Sequence, residues 1–247
     1  MNQARAKELA VIAAKIRLSA LDAVYGAASG HIGGSLSATD LLTVLYFDKM
    51  NINPDEPQDP NRDRFVLSKG HCTPALYPTL ALRGFFPVEE LKMFRSIEGH
   101  MSGHAEMHHV KGVDMSTGSL GQGLSCAVGM AMAGKLDQKN YRVYAIMGDG
   151  EIEEGQIWEA AMAAAKFHLD NLCGIVDVNG LQIDGATADV MPSEPLDEKW
   201  ASFGWNVIKC DGHDLCAISD ALDQAACCKG NQQAREELLE TLNRLEG

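Results

Sequence analysis

Positive charge is scarce in this chain. It carries 21 lysines and arginines against 34 aspartates and glutamates, a formal net charge of −13. Binding a phosphate backbone needs a basic face, so a nucleic-acid partner is excluded. Long apolar runs are missing too. None approaches the roughly 20 residues that a membrane-spanning helix requires, and no membrane partner is expected. Residues 1–17 are amphipathic and charged, with Arg5, Lys7, Glu8, Lys15 and Arg17, and do not have the make-up of a signal peptide. The cysteines (Cys72, Cys126, Cys173, Cys210, Cys216, Cys227 and Cys228) are odd in number and show no metal-like spacing. Most fall in apolar or helical stretches, where a thiol behaves as a small hydrophobe, so a reducing, cytoplasmic compartment is expected. There is no internal repeat and no low-complexity tract. Gly-Lys-Ser/Thr does not follow the Gly-rich stretch at 115–123, and no G-x-G-x-x-G follows a first strand, which removes the common mononucleotide and dinucleotide loops.

What is present organises around Gly148-Asp149-Gly150. The apolar run 142–147 before it reads as a buried parallel strand, and a helical pattern with Ile157, Ala160, Ala161 and Ala164 on one face follows from Glu153. A second apolar run, 172–178, ends at Asn179. Asp149 and Asn179 therefore sit at the carboxyl ends of two strands joined by one helix, the edge at which open α/β sheets bind ligands. Asp, Asn and a nearby carbonyl are hard oxygen donors suited to Mg²⁺ or Ca²⁺, and Mg²⁺ commonly completes its octahedron with phosphate oxygens. Gly150 lets a diphosphate approach the backbone. Taken alone, Gly-Asp-Gly reads first as an ordinary acidic turn; the Asp-to-Asn spacing and the rest of the chain favour the metal–diphosphate reading.

With 247 residues the chain has room for one large α/β domain or two small ones. Periodicity predicts a helix over 3–28, a tight turn at the glycines of 29–34, a helix from Ala38 to about Lys49 capped by Ser37, a strand at 64–67 and a helix at 74–83. The Gly-rich loop 115–123 opens a helix running to about Leu136. Leu181 and Ile183 read as inward apolar side chains of a turn. A helix at 198–203, a strand at 205–210, a helix at 215–228 and a charged helix at 232–245 complete the pattern.

His31, His71 and His104 each follow a glycine near a predicted loop end. A lone histidine is usually a satisfied polar residue. Three such pairs are candidates for contacts to phosphate or carbonyl oxygens and for proton movement. His100, His108, His109 and His168 lack that context and read as surface or structural.

These motifs, in order from about residue 5 to residue 228, resemble the amino-terminal, thiamine-diphosphate-binding part of the transketolase family. The carriers are Ser29-Gly30-His31, Ser68-Lys69-Gly70-His71, Gly103-His104-Ala105-Glu106 and the loop Ser116-Thr117-Gly118-Ser119-Leu120-Gly121-Gln122-Gly123. They continue with Gly148-Asp149-Gly150, Asn179-Gly180-Leu181-Gln182-Ile183-Asp184-Gly185 and Asp211-Gly212-His213-Asp214. The resemblance implies an α/β fold with a parallel sheet flanked by helices on both faces, forming one diphosphate-binding domain over 1–247. It implies thiamine diphosphate held by Mg²⁺ (or Ca²⁺ or Mn²⁺), with Asp149, Asn179 and the Leu181 carbonyl as metal ligands. Gly150 and His71 would meet the diphosphate, Gly118, Ser119 and Leu120 the ring systems, and Ile183 the bend of the cofactor; Asn179 serves cofactor and metal together. His31 and His104 would face the substrate, and Glu154, with Glu159 beside it, would lie near a subunit contact.

The implied reaction moves a two-carbon ketol unit from a ketose phosphate to an aldose phosphate. The glutamate that protonates the aminopyrimidine and much of the phosphate site belong to a pyrimidine-binding domain that this length does not include. A second, C-terminal-type subunit is therefore implied, in an α2β2 assembly, with helices 119–136 and 153–168 offering it an apolar face. Two other readings of these residues are a synthase joining pyruvate to an aldose phosphate and a non-catalytic partner subunit. Three departures stand out. Ile32 and Ala105 replace prolines that the family often has, and the last strand and His-bearing basic loop are not found before 229–247, which reads as a helical tail after a deletion, a natural truncation or an omitted segment.

Overall fold

The computed structural model describes residues 1–183 and 185–228. In chain order these form α1 (Gln3–Ala27), α2 (Ile32–Val44), β1 (Arg64–Leu67), α3 (Thr73–Arg83), α4 (Gln122–Leu136), β2 (Val143–Gly148), α5 (Gly155–Lys166) and β3 (Leu172–Asp177). A small hairpin of β4 (Leu181–Gln182) and β5 (Gly185–Ala186) follows, then α6 (Thr187–Val190), α7 (Leu196–Ser202) and α8 (Leu215–Cys227). The helix expected over 232–245 and the tail at 229–247 lie outside the described residues.

Strands β1, β2 and β3 pair side by side and all parallel. Leu67 lies beside Ile146, and Ile146 beside Ile175, so the three strands end together at one edge. Side chains alternate along each strand and send alternate residues to opposite faces. From β1 and β2, Phe65, Leu67, Tyr144 and Ile146 pack with α1, α2, α3 and α8. Val66, Val143, Ala145 and Met147 pack on the other face with α4, α5 and α7. Both faces are covered, which is why the strands read as nearly continuous apolar runs. The expected α/β layering is thus what the structure shows.

α1 begins where the Asn2 side chain accepts the Arg5 N–H at 2.9 Å and ends at Ala28 in the left-handed region. It buries Leu9, Ala13, Ile16 and Ala20, spaced four, three and four apart. A fully buried Leu or Ile of this kind contributes about 1.5–3 kcal/mol. Asp214 caps α8 by accepting the N–H groups of Cys216 and Ala217.

Four sequence expectations are corrected. The second helix starts at Ile32, six residues before the expected start, so Gly33 and Gly34 are helical and not turn residues. A Cβ at Gly34 would stand 2.9 Å from the Cys72 sulfur, so close packing explains that glycine. Residues 205–210 form no strand and pair with none among the described residues. Helices α4 and α5 pack on each other and on the sheet; among their large apolar side chains only Met162 stands in the open. Leu181 and Ile183 point outward, 67% and 93% exposed. Among the described residues no helix is long and apolar enough to cross a membrane.

Candidate active site at the carboxyl edge of the sheet

The three strand ends deliver Ser68-Lys69-Gly70-His71, Gly148-Asp149-Gly150 and Asp177-Val178-Asn179 to the same edge. Asp149 is buried. One carboxylate oxygen accepts the Gly150 N–H at 3.1 Å and the other the Gly180 N–H at 2.8 Å. The second bond fastens the loop after β3 to the end of β2. Burial pushes the Asp149 carboxyl above its ordinary range, and these backbone donors only partly oppose it. Among the described residues no Lys, Arg or His pairs with it. Asn179 is exposed, and its carbonyl oxygen accepts the Leu181 N–H at 2.9 Å, fixing the turn that carries the Leu181 carbonyl.

Among the described residues no group of three or more His, Cys, Asp or Glu side chains is arranged to hold a metal. One desolvated carboxylate flanked by an amide oxygen and a carbonyl cannot cage an ion alone. That donor set fits a hard divalent ion that takes its other oxygens from a phosphate.

The three Gly-His pairs converge. His31 heads α2, and its ring lies 5.1 Å from His71 and 6.3 Å from His104, centroid to centroid. His71 is half-buried, and burial drives its pKa down to about 4, helped by His31, Lys69 and His104. Burial also lowers His104, with Arg95 and His31 adding to the effect. At neutral pH both rings are therefore uncharged, each with one donor and one acceptor nitrogen.

The loop 116–121 forms the wall beside them. Thr117 donates its hydroxyl to the Leu67 carbonyl at 2.7 Å and its N–H to Ala105 O at 3.0 Å, bridging the end of β1 to the His104 segment. Gly70 lies so close under this loop that a Cβ would come within 2.6 Å of the Thr117 carbonyl carbon. A Cβ at Gly118 would press on the His104 ring at 3.3 Å. Ser119 is exposed and Leu120 partly so, leaving their faces open to a ligand. Gly121 has φ +85° and packs against the Glu154 side chain, which is otherwise exposed. Gly150 is flanked by Gln182, whose amide donates to Glu153 at 2.9 Å.

Sequence reasoning missed two buried ionic groups. Glu151 accepts from the Ser68 hydroxyl at 2.5 Å, Gly121 N–H at 3.0 Å and Gly148 N–H at 3.0 Å, tying three site segments to one carboxylate. Lys69 pairs with Asp177 at 2.5 Å and donates to Gly34 O at 3.2 Å, while Ser37, expected as a helix cap, donates to Asp177 at 2.7 Å. An acid directly after Gly-Asp-Gly and a lysine directly before Gly-His were the only signals available.

The sequence profile described as "Transketolase, thiamine diphosphate binding domain" matches residues 8–234. The chain is 48% identical over 215 residues to the 6-deoxy-6-sulfo-D-fructose transketolase subunit SqwG of a Clostridium species, covering 87% of this chain and 78% of that protein. It is 48% identical over 201 residues to one subunit of the apulose-4-phosphate transketolase of Phocaeicola vulgatus, covering 81% and 71%. Among solved structures, the transketolase of Leishmania mexicana superposes with a TM-score of 0.86 at 33% identity, covering 90% of this chain and 35% of that one. The chain thus spans about a third of that full-length transketolase. The histidines, the Gly-rich loop and the Asp149 edge sit on a profile and a fold that agree throughout, and the chain belongs to the transketolase family as its N-terminal, thiamine-diphosphate-binding subunit.

Proposed function

We propose that this chain is the diphosphate-holding half of a two-polypeptide transketolase, moving a two-carbon ketol unit from a ketose phosphate to an aldose phosphate. One observation carries the reading: three imidazoles from three separate segments meet beside the 116–121 loop, on the edge that presents Asp149 and Asn179. Asp149, Asn179 and the Leu181 carbonyl would hold the divalent ion. His71, Gly150 and Asn179 would receive the diphosphate, Gly118, Ser119 and Leu120 the rings, and Ile183 the bend. When bound, thiamine diphosphate supplies the nucleophilic carbon and the electron sink needed to break a bond beside a ketose carbonyl.

The chain's own residues do the rest. His71, neutral at pH 7, donates a hydrogen bond to a diphosphate oxygen without bringing a second charge. His31 and His104 hold the sugar's hydroxyl and carbonyl oxygens and move protons among them. Glu154, beside Gly121, lies toward the surface that a second polypeptide would cover. That polypeptide would supply the pyrimidine-binding domain and its glutamate, in an α2β2 assembly. Both relatives are named as subunits of a transketolase, which supports a divided active site. Those names also place a sulfo group or a phosphate on the sugars that the relatives act on.

The test is reconstitution with the pyrimidine-domain polypeptide, thiamine diphosphate and Mg²⁺. Two-carbon transfer should need both chains. His31→Ala and His104→Ala should each lower kcat/KM by about 10²-fold while the cofactor stays bound. Asp149→Ala should lose Mg²⁺-dependent cofactor retention. Full cofactor retention in Asp149→Ala would sink the assigned metal site.

A further inference from the structure

Helix α1 is apolar on two opposite sides, and the fold uses only one of them. Leu9, Ala13, Ile16 and Ala20 face the core. Val11, Leu18, Leu21 and Tyr25 stand in the open, Tyr25 at 89%. Their spacings of seven, three and four, with the exposed Ala14 filling the gap, are those of a coiled-coil seam. A helix turns about 100° per residue, so this seam runs down the side opposite the buried row. From Val11 to Tyr25 it is about 21 Å long. A helix that is apolar all round is normally buried all round. Here α2, α3 and α8 pack on α1, and the outer row remains exposed.

Charge and size select the occupant. Lys15 and Asp22 border the seam on one side, both exposed, and neither has an ion pair among the described residues. A helix that lies on an anionic membrane is rich in Lys and Arg. This border carries one charge of each sign, in a chain of net charge −13. A second α1 laid antiparallel, about a two-fold axis between Leu18 and Leu21, answers both charges. Leu18 then meets Leu21 of the other copy, Tyr25 meets its small Ala14, and Lys15 meets its Asp22. The two-fold repeats each contact, as an isologous interface requires. A seam of four turns falls short of the roughly 1,600 Å² of a standard interface, so such pairing is reversible.

We propose that the outer face of α1 is a self-association surface, on which two copies of this chain pair antiparallel with Lys15 of each against Asp22 of the other. The contact needs this chain alone and lies across the sheet from α4 and α5. It does not rest on the transketolase reading. The exposed heptad row and the two unanswered charges beside it then share one explanation.

The test is sedimentation equilibrium of the full chain over a concentration series. The mass should rise from one copy to two, with a Kd on the order of 10–100 µM. Leu18→Glu places a good helix former at an exposed position, so the fold is kept while pairing should weaken at least about tenfold. Lys15→Glu and Asp22→Lys should each weaken pairing about threefold. The double variant should recover wild-type pairing, because the exchanged charges meet again across the two-fold. A chain that stays monomeric up to about 0.5 mM overturns the proposal, and so does a dimer whose Kd is unmoved by Leu18→Glu. A double variant no tighter than either single one overturns the antiparallel register. The same Leu18→Glu chain tests the other occupants. If it self-associates as the wild type does but loses affinity for the pyrimidine-domain polypeptide, or for vesicles of anionic phospholipid, the seam belongs to that occupant and the second copy is refuted.

Discussion

His71 is the residue whose chemistry is most altered by where the chain puts it. Burial and three neighbouring groups hold its pKa down to about 4, against an ordinary 6.5. The folded chain therefore takes up fewer protons than the unfolded one between those values, and stability is intact above about pH 6.5 and is lost as pH falls toward 4. His71→Gln, which keeps a neutral hydrogen-bonding group, should flatten that part of the stability profile. The expected difference at pH 4 is about 1–2 kcal/mol after allowing for partial exposure. Urea unfolding at pH 7.5, 6, 5 and 4 measures it, and parallel profiles for the two proteins would sink the assignment. That His71 gathers with His31 was legible because Gly-His recurs three times at loop ends. The role of Lys69 beside it was not. A lysine in a sequence reads as solvated, and only the fold shows this one buried against Asp177. Removing one partner of such a pair leaves a charge without compensation, so Lys69→Met should destabilise by about 3–5 kcal/mol.

Elements meet at this site through glycines. The turn after β1 lies directly beneath the 116–121 loop, and the start of α4 lies directly over Ser68, where a Cβ at Gly123 would come within 2.5 Å of the hydroxyl. Gly70→Ala should therefore lift the 116–121 loop from the strand end and strain the Thr117–Leu67 hydrogen bond. The expected loss is about 1–3 kcal/mol of stability, together with weaker cofactor retention. Thermal unfolding and equilibrium dialysis check the two effects. An alanine variant with wild-type melting and wild-type cofactor affinity would show that the contact is not tight. Helices and strands of this layer were legible because their apolar periods are long and clean, α1 and β2 above all. The start of α2 was not. Glycine marks both turns and close packing, and a sequence cannot tell a helical Gly34 packed against Cys72 from the same residue in a loop. Residues 205–210 misled for another reason. Their composition suits a strand, but a strand needs a neighbour to pair with.

At the scale of the whole molecule, the described residues leave the outer side of the site open. The segment after β3 exposes Val178, Leu181, Ile183, Val190 and Met191, at 55%, 67%, 93%, 38% and 55%. Five large apolar side chains open to water within fourteen residues, on the edge that would hold the metal, make a surface suited to being covered by a ligand and a second chain. The expected apolar face on α4 and α5 is instead spent on packing within the chain, so the exposed rim of the site is the better candidate for a contact surface. Cofactor and partner should then protect the same segment. Hydrogen exchange in 178–191 should be fast in the isolated chain. It should slow modestly with thiamine diphosphate and Mg²⁺, and at least about tenfold further when the pyrimidine-domain chain is added, since burial removes local opening. Sedimentation of the same mixture should give the mass of two copies of each chain, closed symmetry being the usual outcome for such pairs. An active assembly in which 178–191 exchanges as fast as in the isolated chain would place the partner elsewhere. The exposed side chains at this edge would then need another occupant.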